Sequence, residues 1–280
     1  MVLPVPDPTR SAKHENLVFA SEALKITVDP FERLLDYDLR VPLLVFRNDN
    51  QDGCYQGTVY VPKSLSSHQF TQNDVDLSKL LMRRPNYFEF LFLLDGDYEE
   101  KINDRLNLYT PGTCRIAYQN TRHLENFNKN YSAIYFCVSP RMISEIRSAE
   151  RLSSGDDRVS QLNPILSSFL GINTAALQTG IADYLLFQPK GQAKDLITKI
   201  RGIADEIKAV SDAPFYGSSL MINGLFGKLL SLISDATLYS INHIQLNTSP
   251  EAILFNNLSN LLCESKGLLS RAELEDRLKY

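Results

Sequence analysis

Cysteine is scarce and scattered: Cys54, Cys114, Cys137 and Cys263 lie far apart in 280 residues, with no C-x-x-C pair and no adjacent histidine. That spacing excludes a zinc ribbon and a disulfide framework, and it reads as four reduced thiols. Long hydrophobic runs are missing too. No segment reaches the roughly 18 uninterrupted apolar residues of a membrane helix. The longest runs are Phe90 to Leu94 and Leu220 to Ile233, the second broken by Asn223, Gly224, Gly227 and Lys228. The start, MVLPVPDPTR, lacks a charged-then-apolar signal pattern, so a cytoplasmic location without a membrane partner is expected. Basic residues are not in excess: 29 Lys+Arg against 33 Asp+Glu leave a net charge of -4. This excludes a chain that coats nucleic acid through its overall charge and leaves only local DNA contact. There is no G-x-S-x-G elbow, H-E-x-x-H, P-loop or G-x-G-x-x-G. His14, His68 and His243 have no Ser or Cys at motif spacing and read as surface or structural. The chain is expected not to be an enzyme and to carry no cofactor.

What is present is an ordinary globular composition, 44% hydrophobic and 22% charged, with length for about two domains. Up to about residue 139 the signals are those of strands. Leu43 to Phe46, Thr58 to Val61, Tyr87 to Leu94, Arg115 to Tyr118 and Tyr131 to Val138 are short runs rich in Val, Ile, Tyr and Phe. Turn-forming clusters separate them at 48–53, 95–97, 102–104 and 110–113. Such punctuation predicts a sandwich or small barrel. After Ser139 apolar residues recur three and four apart and strand runs disappear. Pro140 opens a helix, Ala193 to Val210 forms the clearest one, and another spans about Ser218 to Leu238. Leu196, Ile200, Ile203, Ile207 and Val210 step by 4, 3, 4 and 3 residues. That spacing predicts a dimerisation seam; the other reading is a core helix of the same domain.

The segment RRPNYFEFLFLLDGDYEEKINDRLNLYTPGTCRIAYQNTRHLENF, 83–127, resembles the effector-binding cupin domain of AraC-type transcription regulators. The pattern is an aromatic-Glu strand, a Gly turn, a short strand, a Pro-Gly turn, a strand and a terminal His. YFCVSPRMISEI looks like that family's strand-to-helix exit, and SPEAILFNNLSNLLCESKGLLSRAELEDRLKY resembles the opening of its DNA-binding domain. There Pro250 starts a helix, Gly267 turns it, and Ser270 with Glu273 caps the next. The resemblance implies a mixed α+β fold: a cupin-like β-barrel over 1–139, a helical dimerisation region over 140–245, and a partial helix-turn-helix over 246–280. Its recognition helix would lie beyond Tyr280, so DNA binding is expected only of a longer form. The implied role is effector sensing and homodimerisation in a transcription regulator. The alternatives are a metal-dependent cupin enzyme, isomerase or dioxygenase, and a ligand-binding module without a DNA role.

Metal-dependent cupins carry two His two residues apart, a Glu four further on and a later His. The matching positions here are Arg83, Pro85, Glu89 and His123. Two ligands are replaced and Arg83 would repel a cation, so no metal is expected. By strand alternation Arg83, Tyr87, Glu89 and Leu91 share a face. With His123 these residues offer a cation, an aromatic surface, a carboxylate and an imidazole. Arg83, Tyr87, Glu89 and His123 are therefore the candidate site for a small effector such as a sugar or small organic acid. The structural readings are core packing for Tyr87, an ion pair with Arg83 for Glu89, and a backbone hydrogen bond for His123. Arg115 and Tyr118 are secondary candidates.

Overall fold

A computed structural model describes residues 23–29, 34–51, 54–61, 66–71, 82–102, 105–117, 121–126, 129–154, 162–171, 183–245, 258 and 269–278. Two sheets carry most of the chain. The first orders its strands β1 (Leu24–Asp29), β2 (Leu34–Leu39), β6 (Met82–Pro85), β11 (His123–Asn126), β8 (Tyr98–Ile102) and β9 (Arg105–Tyr109). The second runs β14 (Tyr239–Gln245), β13 (Asp183–Pro189), β10 (Cys114–Ala117), β7 (Phe88–Gly96), β12 (Tyr131–Val138), β3 (Leu43–Gln51), β4 (Cys54–Val61) and β5 (Ser66–Thr71). All pairs are antiparallel except β2 with β6. The sheets face each other, and no pairing joins their edges into a closed barrel among the described residues.

β7 explains the layering. Phe88, Phe90 and Phe92 point to one side and join a core with the helices; Tyr87, Leu91 and Leu93 point to the other and join a second core between the sheets. A strand buried on both faces cannot show an apolar–polar alternation, which accounts for the run FEFLFLL. Two turns align it. In Thr110–Thr113, Pro111 takes the first central position and Gly112, at φ 87, the second, with Thr113 N donating to Thr110 O at 3.0 Å. Gly96, at φ 78, lets the β7–β8 reversal pass so close to Asn130 that a Cβ would meet its carbonyl.

The helices are α1 (Pro140–Ser154), α2 (Pro164–Gly171), α3 (Ala193–Asp212), α4 (Ser218–Ser234) and α5 (Arg271–Leu278). Phe226 of α4 stands edge-on to Phe90 at 5.2 Å, and Phe169 of α2 lies 6.3 Å from Phe88. α5 has the expected capping box: Ser270 N donates to Glu273 Oε2 at 2.8 Å while Glu273 N returns to Ser270 Oγ. The helix expected from Pro250 lies outside the described residues, and no helix-turn-helix is formed among them. No described helix is long and apolar enough to cross a membrane.

Two expectations are corrected. Strands do not disappear after Ser139: β13 pairs with β10, with Cys114 opposite Phe187, and β14 extends the same sheet. The region over 140–245 thus completes the sheet begun before 139 as well as covering it. The heptad seam is also not free to pair with a copy. Leu196, Ile200, Ile203, Ile207 and Val210 are all buried in the helical core with Phe226, Leu229, Leu230 and Ile233, and α3 also touches β4 and β5. The same periodicity serves equally to cover a sheet within one chain.

Candidate functional site

The space between the sheets is polar at its centre. On β10, Cys114 and Ile116 face the helices, so Arg115 faces the other sheet. Its Nη2 donates to Glu89 Oε1 of β7 at 2.8 Å and to Glu100 Oε1 of β8 at 2.6 Å. Its Nε donates to Glu100 Oε2 at 3.1 Å, completing a two-point pair, and Nη1 reaches the Glu89 carbonyl at 3.4 Å. Glu89 and Arg115 belong to one sheet and Glu100 to the other, so a single guanidinium joins the layers. Two further polar bridges cross the same gap: Tyr135 O–H to Tyr98 Oη at 3.0 Å and Tyr184 O–H to Asn107 Oδ1 at 2.6 Å. Tyr109 O–H donates to Glu100 Oε2 at 3.1 Å, and the Tyr98 and Tyr109 rings stack 5.7 Å apart.

His123 enters from β11. Its Nδ1 lies 3.1 Å from the Thr121 carbonyl, an acceptor only, so Nδ1 carries the proton. Burial pushes the imidazole down to about 4, against the pull of Glu89 and Glu100, and the ring is neutral at physiological pH. Nε2 then presents a lone pair to Glu89 Oε1 at 3.3 Å, and it makes no hydrogen bond. Two acceptors therefore face each other in a fully buried place. Burial likewise raises the Tyr98, Tyr109 and Tyr135 hydroxyls well above 10, and the Arg115 charge is reinforced by Glu100 and Glu89.

Glu89, Glu100 and His123 place three possible metal-ligating atoms within 4.8 Å of one another. A metal ion does not fit them. Nη2 of Arg115 already stands within 2.8 Å of both carboxylates, so a dication would be set against a guanidinium with the same two counter-charges to share.

Of the expected residues, Tyr87, Glu89 and Leu91 share the inter-sheet side of β7 and its lead-in, and His123 reaches Glu89 across the gap. Arg83 does not share their strand. It lies on β6 of the other sheet, opposite His123 in register. Pro85 has no N–H to continue a ladder, and the chain bends at Asn86, whose N donates to Tyr37 O at 2.9 Å. The main counter-charge of Glu89 is Arg115, a secondary candidate that holds the centre. Tyr118 lies outside the described residues. Glu100 went unread, although Tyr98, Glu100 and Ile102 alternate in YEEKI and put one acid on an otherwise apolar inner face. His243 is structural, as expected: Nε2 lies 2.6 Å from Asp183 Oδ2, a cross-strand tie between β14 and β13.

Neither a protein-family model nor any curated protein matches the sequence. Among solved structures, the chain is similar to the AraC-like transcriptional activator CuxR at 9% identity, covering 94% of this chain and 78% of that one, with a TM-score of 0.33. An apo variant of ToxT from Vibrio cholerae is 10% identical over 86% of this chain and 71% of its own, TM-score 0.39. ToxT with an unsaturated fatty acid bound is 11% identical over 85% and 68%, TM-score 0.31. Likeness at this level says nothing about the site.

Proposed function

We propose that this chain is the effector-sensing part of an AraC-type transcription regulator, without catalytic turnover. A small polar effector is held between the sheets by Tyr87, Glu89 and His123, with Arg83 from the facing strand. The observation that supports this reading is the mismatch at His123, where Nε2 faces the Glu89 carboxylate without a hydrogen bond. A buried charge cluster adds little to stability beyond what apolar packing would give, and an acceptor left unmatched costs about 1–3 kcal/mol. A ligand hydroxyl placed there donates to Nε2 and removes that cost. Two carboxylates against one guanidinium favour a neutral hydroxylated ligand, a sugar or polyol, over an organic acid.

The same geometry offers a route for the signal. Arg115, Tyr135 and Tyr184 tie the eight-stranded sheet to Glu100, Tyr98 and Asn107 of the other. An effector that inserts beside Glu89 competes for these ties and changes the spacing of the sheets. The helices rest on the far side of the same eight-stranded sheet, so the shift reaches them directly. An effector acts in this way only if it distinguishes the two spacings.

Thermal denaturation with sugars, polyols, sugar acids and small organic acids tests the proposal. A ligand at a hundred times its Kd raises the Tm of a chain of this length by about 4–5 °C. The shift is expected for a hydroxylated compound, is lost in Glu89→Gln and is strongly reduced in His123→Phe. Silence across the panel, a shift that survives in Glu89→Gln, or chemical conversion of the ligand would refute the reading.

A further inference from the structure

Where the chain passes from the six-stranded to the eight-stranded sheet, a cleft of about 810 Å³ opens between the β2–β3 connection, the start of α1 and the start of α4. That volume suits a small organic molecule. Val41, Leu43, Met142 and Ile222 form its apolar floor, all buried. Leu43, Met142 and Ile222 belong to the core on the helical side, so the cleft is separate from the space around Glu89 and His123.

Both walls are fixed by hydrogen bonds of their own. On one, Leu39 N donates to Asn86 Oδ1 at 3.0 Å, Arg40 N to Ala23 O at 2.8 Å and Ser139 N to Pro42 O at 2.9 Å. On the other, Phe215 N donates to Ser218 Oγ at 2.8 Å, and Ser218 Oγ donates to the Phe215 carbonyl at 2.8 Å. Gly217, at φ 100, supplies the left-handed residue that lets the chain turn into α4. This turn holds Phe215 and Tyr216 on the rim, 55% and 105% exposed. A binding surface set in advance spares the ordering that association otherwise costs.

The charge of the cleft has the opposite sign to that between the sheets. Arg40, Arg141 and Glu145 are its charged lining residues. Glu145 is taken by Arg141, whose Nε donates to its Oε1 at 2.8 Å. Arg40 is exposed and has no ion-pair partner among the described residues, which leaves one guanidinium over. α1 and α4 begin at the cleft with no acidic residue in the first turn of either, so nothing there offsets the Arg40 charge and the helix ends add to it.

We propose that this cleft is a second ligand site and that it takes an aromatic carboxylate. One uncompensated cation matches one anion, and a guanidinium offers a carboxylate two parallel donors. The ring of the ligand lies on the apolar floor, where the Met142 thioether adapts to it, and Phe215 and Tyr216 meet its edge from the rim. The two sites thus select different chemistry: two carboxylates against one guanidinium disfavour an acid between the sheets, whereas Arg40 requires one here.

Indole-3-acetate tests the proposal, because the chain has no tryptophan and the indole fluorescence therefore belongs to the ligand alone. It also carries no hydroxyl to offer His123. Its fluorescence anisotropy, followed with the full chain from about 1 to 500 μM, should rise with a Kd on the order of 100 μM. Indole-3-acetamide, the neutral isostere, should bind at least about 10-fold more weakly, as should indole-3-acetate to Arg40→Gln. Phe215→Ala with Tyr216→Ala should weaken binding about 5-fold. All three substituted positions are exposed, so unchanged thermal melts are expected and control for folding. No anisotropy rise at 500 μM overturns the proposal. Equal affinity for the amide, or binding that persists undiminished in Arg40→Gln and in the aromatic double variant, overturns it equally.

Discussion

Replacing Arg115 by Met removes the cation that Glu89 and Glu100 share between the sheets with little change of volume, so the cavity contribution is small. What remains is two carboxylates, 1% and 0% exposed, that have lost three donor contacts between them, with a fourth lost by the Glu89 carbonyl. Breaking a buried pair from one side costs about 3–5 kcal/mol, because the surviving charge is desolvated and uncompensated. With two survivors the upper end applies. Against a typical stability of about 5–15 kcal/mol, that loss leaves a marginal fold. The informative comparison is Arg115→Met combined with Glu89→Gln and Glu100→Gln, which takes the charges away together. If the penalty is electrostatic, the triple variant recovers more than half of it, a strongly non-additive result. Urea unfolding followed by far-UV circular dichroism measures both, since the chain has no tryptophan to report fluorescence. A loss below about 1 kcal/mol in the single variant would refute the reasoning. So would a triple variant no more stable than the single one.

The remaining expectations concern other parts of the same architecture. His123 sits at about 4 in the folded chain against an ordinary 6.5; between those values the unfolded chain binds a proton that the folded chain does not. Stability should therefore fall by about 3 kcal/mol as pH drops from 6.5 to 4, and denaturant midpoints for wild type and His123→Gln should converge in that window rather than run parallel. Tyr135→Phe deletes one tie between the sheets, Tyr135 O–H to Tyr98, and should cost about 1 kcal/mol in chemical unfolding; an unchanged midpoint would show that this bridge holds nothing. Ile207→Ala opens a cavity in the helical core and should cost about 2–5 kcal/mol, whereas a shift in mass without loss of stability would return the seam to an interface between copies.

Local chemistry made a good part of this legible in advance. The five strands read from β-branched and aromatic runs all exist. The Pro111–Gly112 turn follows from a fixed φ beside a permissive one. The helix from Ala193 follows from its period, and the start of α5 from Ser270 and Glu273. Each of these depends on neighbours within a few residues. Glu89 could be set beside Tyr87 and Leu91 because strand alternation fixes which side a residue faces, while His123 joined it only through the resemblance to the cupin pattern. Arg115 could be named but not ranked, since its value rests on Glu100, a residue of the facing sheet that no spacing connects to it.

The sequence by itself thus determined where strands and helices form and which side of each is apolar, because propensity, period and turn geometry act over short stretches of chain. Tertiary structure alone decided what each apolar side meets. The heptad face of α3 is equally well covered by a second chain or by its own α4 and sheet, and only the close packing of Ile200 and Ile207 inside the chain separates the two. DYLLFQP at 183–189 is a short apolar run with no period of its own; it becomes a strand because β10 offers an open edge to pair with. The charge cluster is the clearest case. Three charges distributed over β7, β8 and β10 are unremarkable in order along the chain. They become a buried network only when two sheets close over them, since it is desolvation between the layers that makes each charge depend on the others.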